Sequence, residues 1–314
     1  MAAIPLITIL GPTAVGKTTL AAQLAYLLDA EIISADSRQV FQGMDIGTGK
    51  DLSEYVVKGK AIPYHVIDTV EAGSEYSVYQ FQRDFSQAAS SVYSRGRIPL
   101  LCGGTGMYLD AVLFGYQLLK AEEDSTLRQE LERKSMAELI DMLSNMRPLH
   151  NKTDVEDKTR LIRAIEIELN KQVKRTATHF QTYYNSPVLG LRFDRKIMRD
   201  RITQRLKQRF EEGMVEEVRN LINSGVSTER LKMYGLEYKY ISLYLDGELS
   251  YDNMFLLLNT AIHQFAKRQM TWFRRMENKG IKIVWLEGEN GLEHNLEAAI
   301  NFIKSWKPEK NSPG

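Results

Sequence analysis

Residues 4–10 form a short apolar run rich in β-branched side chains, and over residues 18–28 apolar positions recur at helical spacing. A run of the first kind suits a strand buried on both faces, and the second suits a helix packed against it. The alternation continues through the first third of the chain. Residues 31–34, 65–68 and 98–102 are further strand candidates, and 78–93 predicts a second helix. Strands alternating with helices imply a parallel sheet covered on both faces. From about Tyr116 the strand signals fade. Leu127, Leu131, Leu139 and Leu143 fall at helical spacing with charged residues between them, which predicts a helical insertion. Helical blocks over 197–222 and 253–276 follow, and 281–286 is a late strand able to join the sheet. The expected organisation is an α/β core over 1–115, a mainly helical insertion over 116–190, a helical block with a completing strand over 191–306, and a flexible tail over 307–314.

With 314 residues, the chain can bury a sizeable core. Its 41 basic and 40 acidic residues nearly cancel, so the overall balance does not announce a polyanionic partner. The distribution says more. Arg192, Arg195, Lys196, Arg199, Arg201, Arg205, Lys207 and Arg209 meet only Asp194 and Asp200 in their stretch, and Arg201, Arg205 and Arg209 fall on one helical face. Lys267, Arg268, Arg274 and Arg275 surround Trp272 and Phe273. Clustered cations with interleaved aromatics suit a phosphate backbone and unstacked bases, although either patch alone equally describes a solvated helix face. The lone cysteine, Cys102, excludes an intramolecular disulfide framework and fits a reducing compartment. No leader of basic and apolar segments precedes the first strand, and no run is long and apolar enough to cross a bilayer. A cytoplasmic protein is expected.

The candidate chemistry begins where the first strand ends. Gly11, Pro12, Thr13, Ala14, Val15, Gly16, Lys17 and Thr18 form a glycine-rich loop between a predicted strand and a predicted helix. The two glycines let successive backbone N–H groups turn inward on phosphate oxygens, helped by the positive end of the helix. Lys17 supplies a point charge for terminal phosphates, and the Thr18 hydroxyl suits a magnesium ion. The expected fold is therefore a P-loop NTPase-like α/β sheet, with a helical insertion and helical C-terminal elements. A second glycine-rich edge, Gly103 to Gly106 around Thr105, ends the 98–102 strand at the side of the sheet where open α/β folds bind ligands. Asp36 lies just past the 31–34 strand, where a carboxylate either holds magnesium or accepts a proton from an attacking nucleophile. Ser37 and Gln39 add groups suited to reading a base edge, while a helix N-cap is the plain alternative for Asp36 and Ser37.

Several longer runs carry a resemblance. They begin with Gly-Pro-Thr-Ala-Val-Gly-Lys-Thr from Gly11, Ser-Ala-Asp-Ser-Arg-Gln-Val-Phe-Gln-Gly-Met-Asp-Ile-Gly-Thr from Ser34, and Ile-Pro-Leu-Leu-Cys-Gly-Gly-Thr-Gly-Met-Tyr-Leu from Ile98. Arg-Leu-Ile-Arg-Ala-Ile-Glu from Arg160, Arg-Ile-Thr-Gln-Arg from Arg201 and Ala-Lys-Arg-Gln-Met-Thr-Trp-Phe-Arg from Ala266 follow in order. The chain thus resembles the tRNA dimethylallyltransferases, also called tRNA isopentenylpyrophosphate transferases. The resemblance implies transfer of a dimethylallyl group from dimethylallyl diphosphate to the exocyclic amine of the adenosine just 3′ of a tRNA anticodon. It implies Asp36 as the proton acceptor, and a loop that holds diphosphate rather than ATP. Lys17, Arg205 and magnesium (Mg2+) would spread the leaving group's charge. Thr105 would stand at the centre of the site, on the diphosphate or on the base. Ser37, Arg38 and Gln39 would contact the target nucleotide, flipped from its stack. Arg160 and Arg163, with Lys267 and Arg268, would grip the tRNA, principally its anticodon stem-loop. A monomer is expected.

Departures from the family pattern fall in the expected RNA-contacting regions. Ile262 and His263 stand where a Thr-Arg pair is usual, and Gly235-Leu236-Glu237-Tyr238 replaces Gly-Tyr-Lys-Glu. His263 reads as a surface or helix-packing residue. Two alternatives share the loop: a prenyltransferase acting on free adenylate, which has no need of the insertion or the basic blocks, and a small-molecule kinase, for which 65–68 would be the magnesium-binding strand.

Overall fold

The computed structural model describes residues 6–116, 118, 125–149, 157–173 and 186–307. The chain divides into two compact units, Met1–Tyr116 with Thr182–Gly314, and Gln117–Gln181. In the first unit, β1 (Ile7–Leu10), α1 (Lys17–Leu28) and β2 (Ala30–Ala35) are followed by a small ribbon, β3 (Val56–Val57) with β4 (Lys60–Ala61), and then by β5 (Tyr64–His65), α2 (Val78–Ser94), β6 (Ile98–Gly103) and α3 (Gly106–Leu113). The second unit holds α4 (Ser125–Glu132), α5 (Met136–Met146) and α6 (Lys158–Val173), joined through Leu131, Leu139, Leu143, Leu161 and Ile165. The chain then returns to the first unit with β7 (Val188–Arg192), α7 (Arg195–Glu211), α8 (Met214–Asn223), α9 (Thr228–Met233), α10 (Leu236–Leu245), α11 (Tyr251–Asn278), β8 (Ile283–Glu287) and α12 (Leu292–Ser305).

Six parallel strands run in the order β5-β2-β6-β1-β7-β8. Every residue of β1 and β2 is buried, as strands covered on both faces require. Leu20, Leu24 and Ala299 cover one face with Ile9, Ile32, Leu100 and Leu189, and Phe81, Phe85, Leu109, Leu206 and Phe273 gather on the other around Leu10, Ile33 and Leu101. Each of these leucine, isoleucine and phenylalanine side chains contributes about 1.5–3 kcal/mol of burial. The register sets the site. Leu10 of β1 and Ala35 of β2 both pair with Gly103 of β6, so Gly11, Asp36 and Gly104 leave the sheet side by side. This is the carboxyl edge at which such sheets bind ligands.

The structure differs from or refines the sequence pattern in three places. The strand predicted over 65–68 stops at His65, because Val66 and Asp68 take positive φ values of 62° and 53°. The helical block predicted over 197–222 resolves into two helices, separated at Gly213 with φ 98°. Most consequential is β7. Residues up to 190 were assigned to the insertion, yet Val188–Arg192 lies in the sheet between β1 and β8. Gly190 interrupts its apolar run; a Cβ there would stand 2.5 Å from the Trp285 ring, so the strand admits the indole at the cost of its own signature. Residues 308–314 of the predicted tail lie outside the described residues.

One ion cluster braces the sheet away from the site. Glu31, only 2% exposed, accepts from Arg95 Nη2 at 2.7 Å and Arg97 Nη1 at 3.0 Å, and shares a 2.7 Å hydrogen bond with His65 Nε2. Burial pushes this carboxyl up, but the hydrogen bonds from Arg95, His65 and Arg97 outweigh it and hold the group down at about 2. A carboxyl depressed below its unfolded value of 4.5 stabilises the fold above that pH and loses the contribution as pH falls towards 2. Between pH 6 and 3 the wild type is expected to lose about 2 kcal/mol from this group. Urea titrations of Glu31→Gln should lack that component; an unchanged acid slope would show that Glu31 is not its source.

Candidate active site

The phosphate loop is shaped by three backbone features. Gly11 has no room for a Cβ, which would run into the Leu191 carbonyl oxygen of β7. Ala14 and Gly16 adopt left-handed conformations at φ 62° and 85°, and Gly16 opens α1 without any side-chain cap. The N–H groups of the first turn of α1 thus remain available to an anion. Lys17 Nζ donates to the Pro12 carbonyl at 2.6 Å, folding back over the loop. Burial lowers its ammonium to about 8, and nearby Arg205 adds to the shift, against Asp36 and Glu54, which oppose it. A desolvated cation beside a second cation is the electrostatic setting that a polyanion relieves. Thr18, half-buried, begins the same turn, and its hydroxyl has no hydrogen-bond partner among the described residues.

Asp36 emerges from β2 beside the loop. Its Oδ1 accepts from the Arg38 backbone N–H at 2.9 Å, and Oδ2 has no partner among the described residues. Thr105 faces it across the edge. The Thr105 hydroxyl oxygen accepts from the Ser37 N–H at 3.0 Å, and the Thr105 N–H donates to the Ala35 carbonyl at 3.1 Å. Gly103 is required two residues before it, since a Cβ would collide with the Ala35 backbone. Arg38 is partly buried, and desolvation lowers its pKa against Asp36, which raises it; no hydrogen-bond partner of its guanidinium occurs among the described residues. Gln39 stands apart from this group. Only 8% exposed, it accepts from Ser34 Oγ at 2.8 Å and donates to the Gly49 carbonyl at 3.1 Å, so both ends of its amide are already engaged inside the protein.

The segment after β2 is held by residues whose importance the sequence pattern did not show. Lys50, 1% exposed, gives its ammonium to the Phe41 carbonyl at 2.7 Å, to Asp45 Oδ1 at 2.6 Å and to Asp68, which satisfies all three of its protons. Glu217 of α8 accepts from the N–H groups of Asp45, Ile46 and Gly47 at 2.8, 2.6 and 3.0 Å, and from the Tyr238 hydroxyl at 2.6 Å. Gly49, at φ 63°, lies against Arg205 and Arg209, leaving no space for a side chain. Arg205 is ion-paired with Asp51. Arg201, one turn earlier on α7, donates from Nε to the Ala14 carbonyl at 3.0 Å. The residue run from Ser34 to Thr48 had pointed to this segment, and Gly49 and Lys50 continue it. The partner carboxylate Glu217 carried no comparable signal.

The RNA-contact candidates are placed less uniformly. Lys267 and Arg268 are exposed on α11, with the Arg268 guanidinium 5.9 Å from the Phe265 ring centroid. His263 lies within 3.3 Å of the Thr203 hydroxyl on α7, a helix-packing position. In the second unit Arg160 is exposed. Arg163 instead donates to the fully buried Glu166 at 2.9 Å, and Arg128 approaches the same carboxylate at 2.7 Å.

A glycine-rich loop at a strand-to-helix junction, with Lys17 and Thr18 at its end and a carboxylate leaving the neighbouring strand, defines a P-loop-type α/β protein. Comparison with known proteins narrows the class. Residues 39–276 match the family model for IPP transferase, and residues 4–73 match that for isopentenyl transferase. The chain belongs to the IPP transferase family. It is 54% identical over 300 residues to tRNA dimethylallyltransferase 2 of Phocaeicola vulgatus, covering 95% of this chain and 97% of that one. The crystal structure of a full-length tRNA isopentenylpyrophosphate transferase from Bacillus halodurans superposes with a TM-score of 0.69 at 32% identity, covering 96% of this chain and 95% of the other. A eukaryotic dimethylallyltransferase acting on tRNA shares the fold at a TM-score of 0.77 and 22% identity, covering 98% and 81% of the two chains.

Proposed function

We propose that this protein transfers a dimethylallyl group from dimethylallyl diphosphate to the N6 amine of the adenosine 3′-adjacent to the anticodon, releasing diphosphate. The observation that carries this reading is the juxtaposition, at one sheet edge, of the phosphate loop, Asp36 with an unengaged carboxylate oxygen, and Thr105. In the reaction a bond forms between N6 and the allylic carbon while the carbon–oxygen bond to diphosphate breaks. The amine is a weak nucleophile because its lone pair is delocalised into the ring, so its proton must leave as the bond forms. Asp36 accepts that proton. The loop N–H groups, Lys17 and Arg205 receive the charge on the departing diphosphate, the same electrostatic logic by which preorganised donors stabilise any leaving anion.

Magnesium fits this site. The Thr18 hydroxyl is a hard oxygen donor at the loop's end, and among the described residues no group of three or more His, Cys, Asp and Glu side chains assembles a separate metal cage. An ion held by Thr18, water and the diphosphate itself follows the usual habit of magnesium, and when bound it neutralises phosphate charge. Ser37 and Arg38 contact the flipped nucleotide. Gln39 supports that contact from behind, where its amide joins Ser34 to Gly49. The second unit, with Arg160 exposed, is the tRNA-binding insertion, and Lys267 and Arg268, exposed on α11 of the first unit, are separate RNA contacts. The enzyme works as a monomer, in the cytoplasm where its RNA substrate resides. No helix among the described residues is long and apolar enough to cross a membrane.

The experiment that tests this reading offers labelled dimethylallyl diphosphate and magnesium with an anticodon stem-loop RNA and with AMP in parallel. Label is expected on the RNA adenosine alone. Label on AMP would transfer the assignment to a small-molecule prenyltransferase, and ATP consumption without label on either acceptor would make the protein a kinase or ATPase.

A further inference from the structure

We infer that Gln269 is a positioning residue for the proposed reaction, a clamp that fixes the distance between the phosphate loop and the edge carrying Thr105. Gln269 lies on α11 within the Ala266–Arg274 run, whose exposed members Lys267 and Arg268 are the RNA-contact candidates. Its own side chain points the other way and is only 7% exposed. Oε1 accepts from the Thr13 N–H of the phosphate loop at 2.9 Å, and Nε2 donates to the Gly104 carbonyl at 2.9 Å. One amide thus joins two loops that leave neighbouring strands. A glutamine is the side chain of this length with one acceptor and one donor to offer; glutamate lacks the donor and methionine lacks both. Gly104 is shaped to receive it, because a Cβ there would approach Nε2 to 2.5 Å.

From Gly104 the linkage continues to the base. Thr105 accepts from the Ser37 N–H, and Ser37 follows Asp36 directly. The leaving-group cradle and the proton acceptor are therefore joined by a short path through Gln269, Gly104, Thr105 and Ser37. Transfer to a weak nucleophile depends on that separation, and displacement of a reacting group by about 1 Å can cost roughly 100-fold. Loss of the clamp leaves the exposed basic face of α11 intact, so diphosphate use and RNA binding should respond differently.

The inference rests on the function proposed above, and its test separates the two. Gln269→Met and Gln269→Glu are compared with wild type for binding of inorganic diphosphate with magnesium by calorimetry, for stem-loop RNA affinity, and for kcat and KM with dimethylallyl diphosphate, each per folded protein as judged by thermal melts. Both variants are expected to bind diphosphate more weakly and to lose roughly 10- to 100-fold in kcat/KM for the diphosphate substrate, with RNA affinity within about twofold of wild type. Unchanged diphosphate binding and kcat/KM, with or without weaker RNA binding or lower stability, would overturn the clamp. If Gln269→Met does not fold, Gln269→Glu, which retains the bond to Thr13 and the side-chain length, decides the matter by the same readouts. Wild type that binds diphosphate but transfers no prenyl group would refute the functional reading, while calorimetry alone would still judge the clamp.

Discussion

Asp36→Asn should reduce prenyl transfer by roughly 10²- to 10⁴-fold, the range associated with losing a positioned general base, while RNA binding stays close to wild type. The asparagine is the sharper test than alanine. One carboxylate oxygen of Asp36 accepts from the Arg38 N–H and so shapes the turn after β2; an asparagine carbonyl keeps that bond. The other oxygen, without a partner among the described residues, is the one to which the proposed reaction assigns the proton. Alanine removes both functions and asparagine only the second. Equal losses in the two variants, measured as single-turnover transfer to a stem-loop RNA at saturating diphosphate substrate, would assign the effect to proton transfer. Near-normal transfer by Asp36→Asn with a defective Asp36→Ala would instead reduce Asp36 to a turn-forming residue. The protein would then need another acceptor at this edge.

Much of this site was legible because its chemistry is carried by local sequence. The phosphate loop needs particular glycines, a lysine and a threonine in consecutive positions, and the register of β1, β2 and β6 brings their ends together. Asp36 could be placed at a strand end from the apolar run before it. What the pattern missed depends on contacts between distant segments. Glu217 meets the Asp45–Gly47 backbone across about 170 positions, and Gln269 reaches Thr13 across 256. Neither has a periodicity or spacing that announces its partner. The strand Val188–Arg192 was hidden for a different reason: Gly190 interrupts its apolar run to make room for Trp285. Arg163, a motif residue expected to meet RNA, also bonds a buried carboxylate of its own unit, a contact that no spacing announced.

Removal of Arg205 should have the second large effect. Arg201, Arg205 and Arg209 occupy one face of α7, and each does something different there. Arg201 bonds the loop carbonyl of Ala14, Arg209 is buried against Gly49, and Arg205 is ion-paired with Asp51 while lying near enough to Lys17 to depress its ammonium. Arg205 combines partial exposure with proximity to Lys17, whereas the exposed Arg201 is engaged by the loop carbonyl and the Phe193 ring, so the proposed reaction assigns the departing diphosphate to Arg205. Arg205→Ala is expected to lower kcat/KM for dimethylallyl diphosphate by roughly 10²- to 10³-fold, the cost of deleting one preorganised donor to a developing anion. Part of that loss should come from Asp51, whose carboxylate is left uncompensated beside the anion site once its partner is gone. Asp51→Asn in the Arg205→Ala background should therefore recover some of the lost diphosphate affinity. Arg205→Lys should fall between, since it restores the charge without the planar fork. Turnover unchanged in Arg205→Ala would move the leaving-group role to another cation. A large loss with no recovery from Asp51→Asn would mean that Arg205 acts directly on the diphosphate and that Asp51 is remote from it.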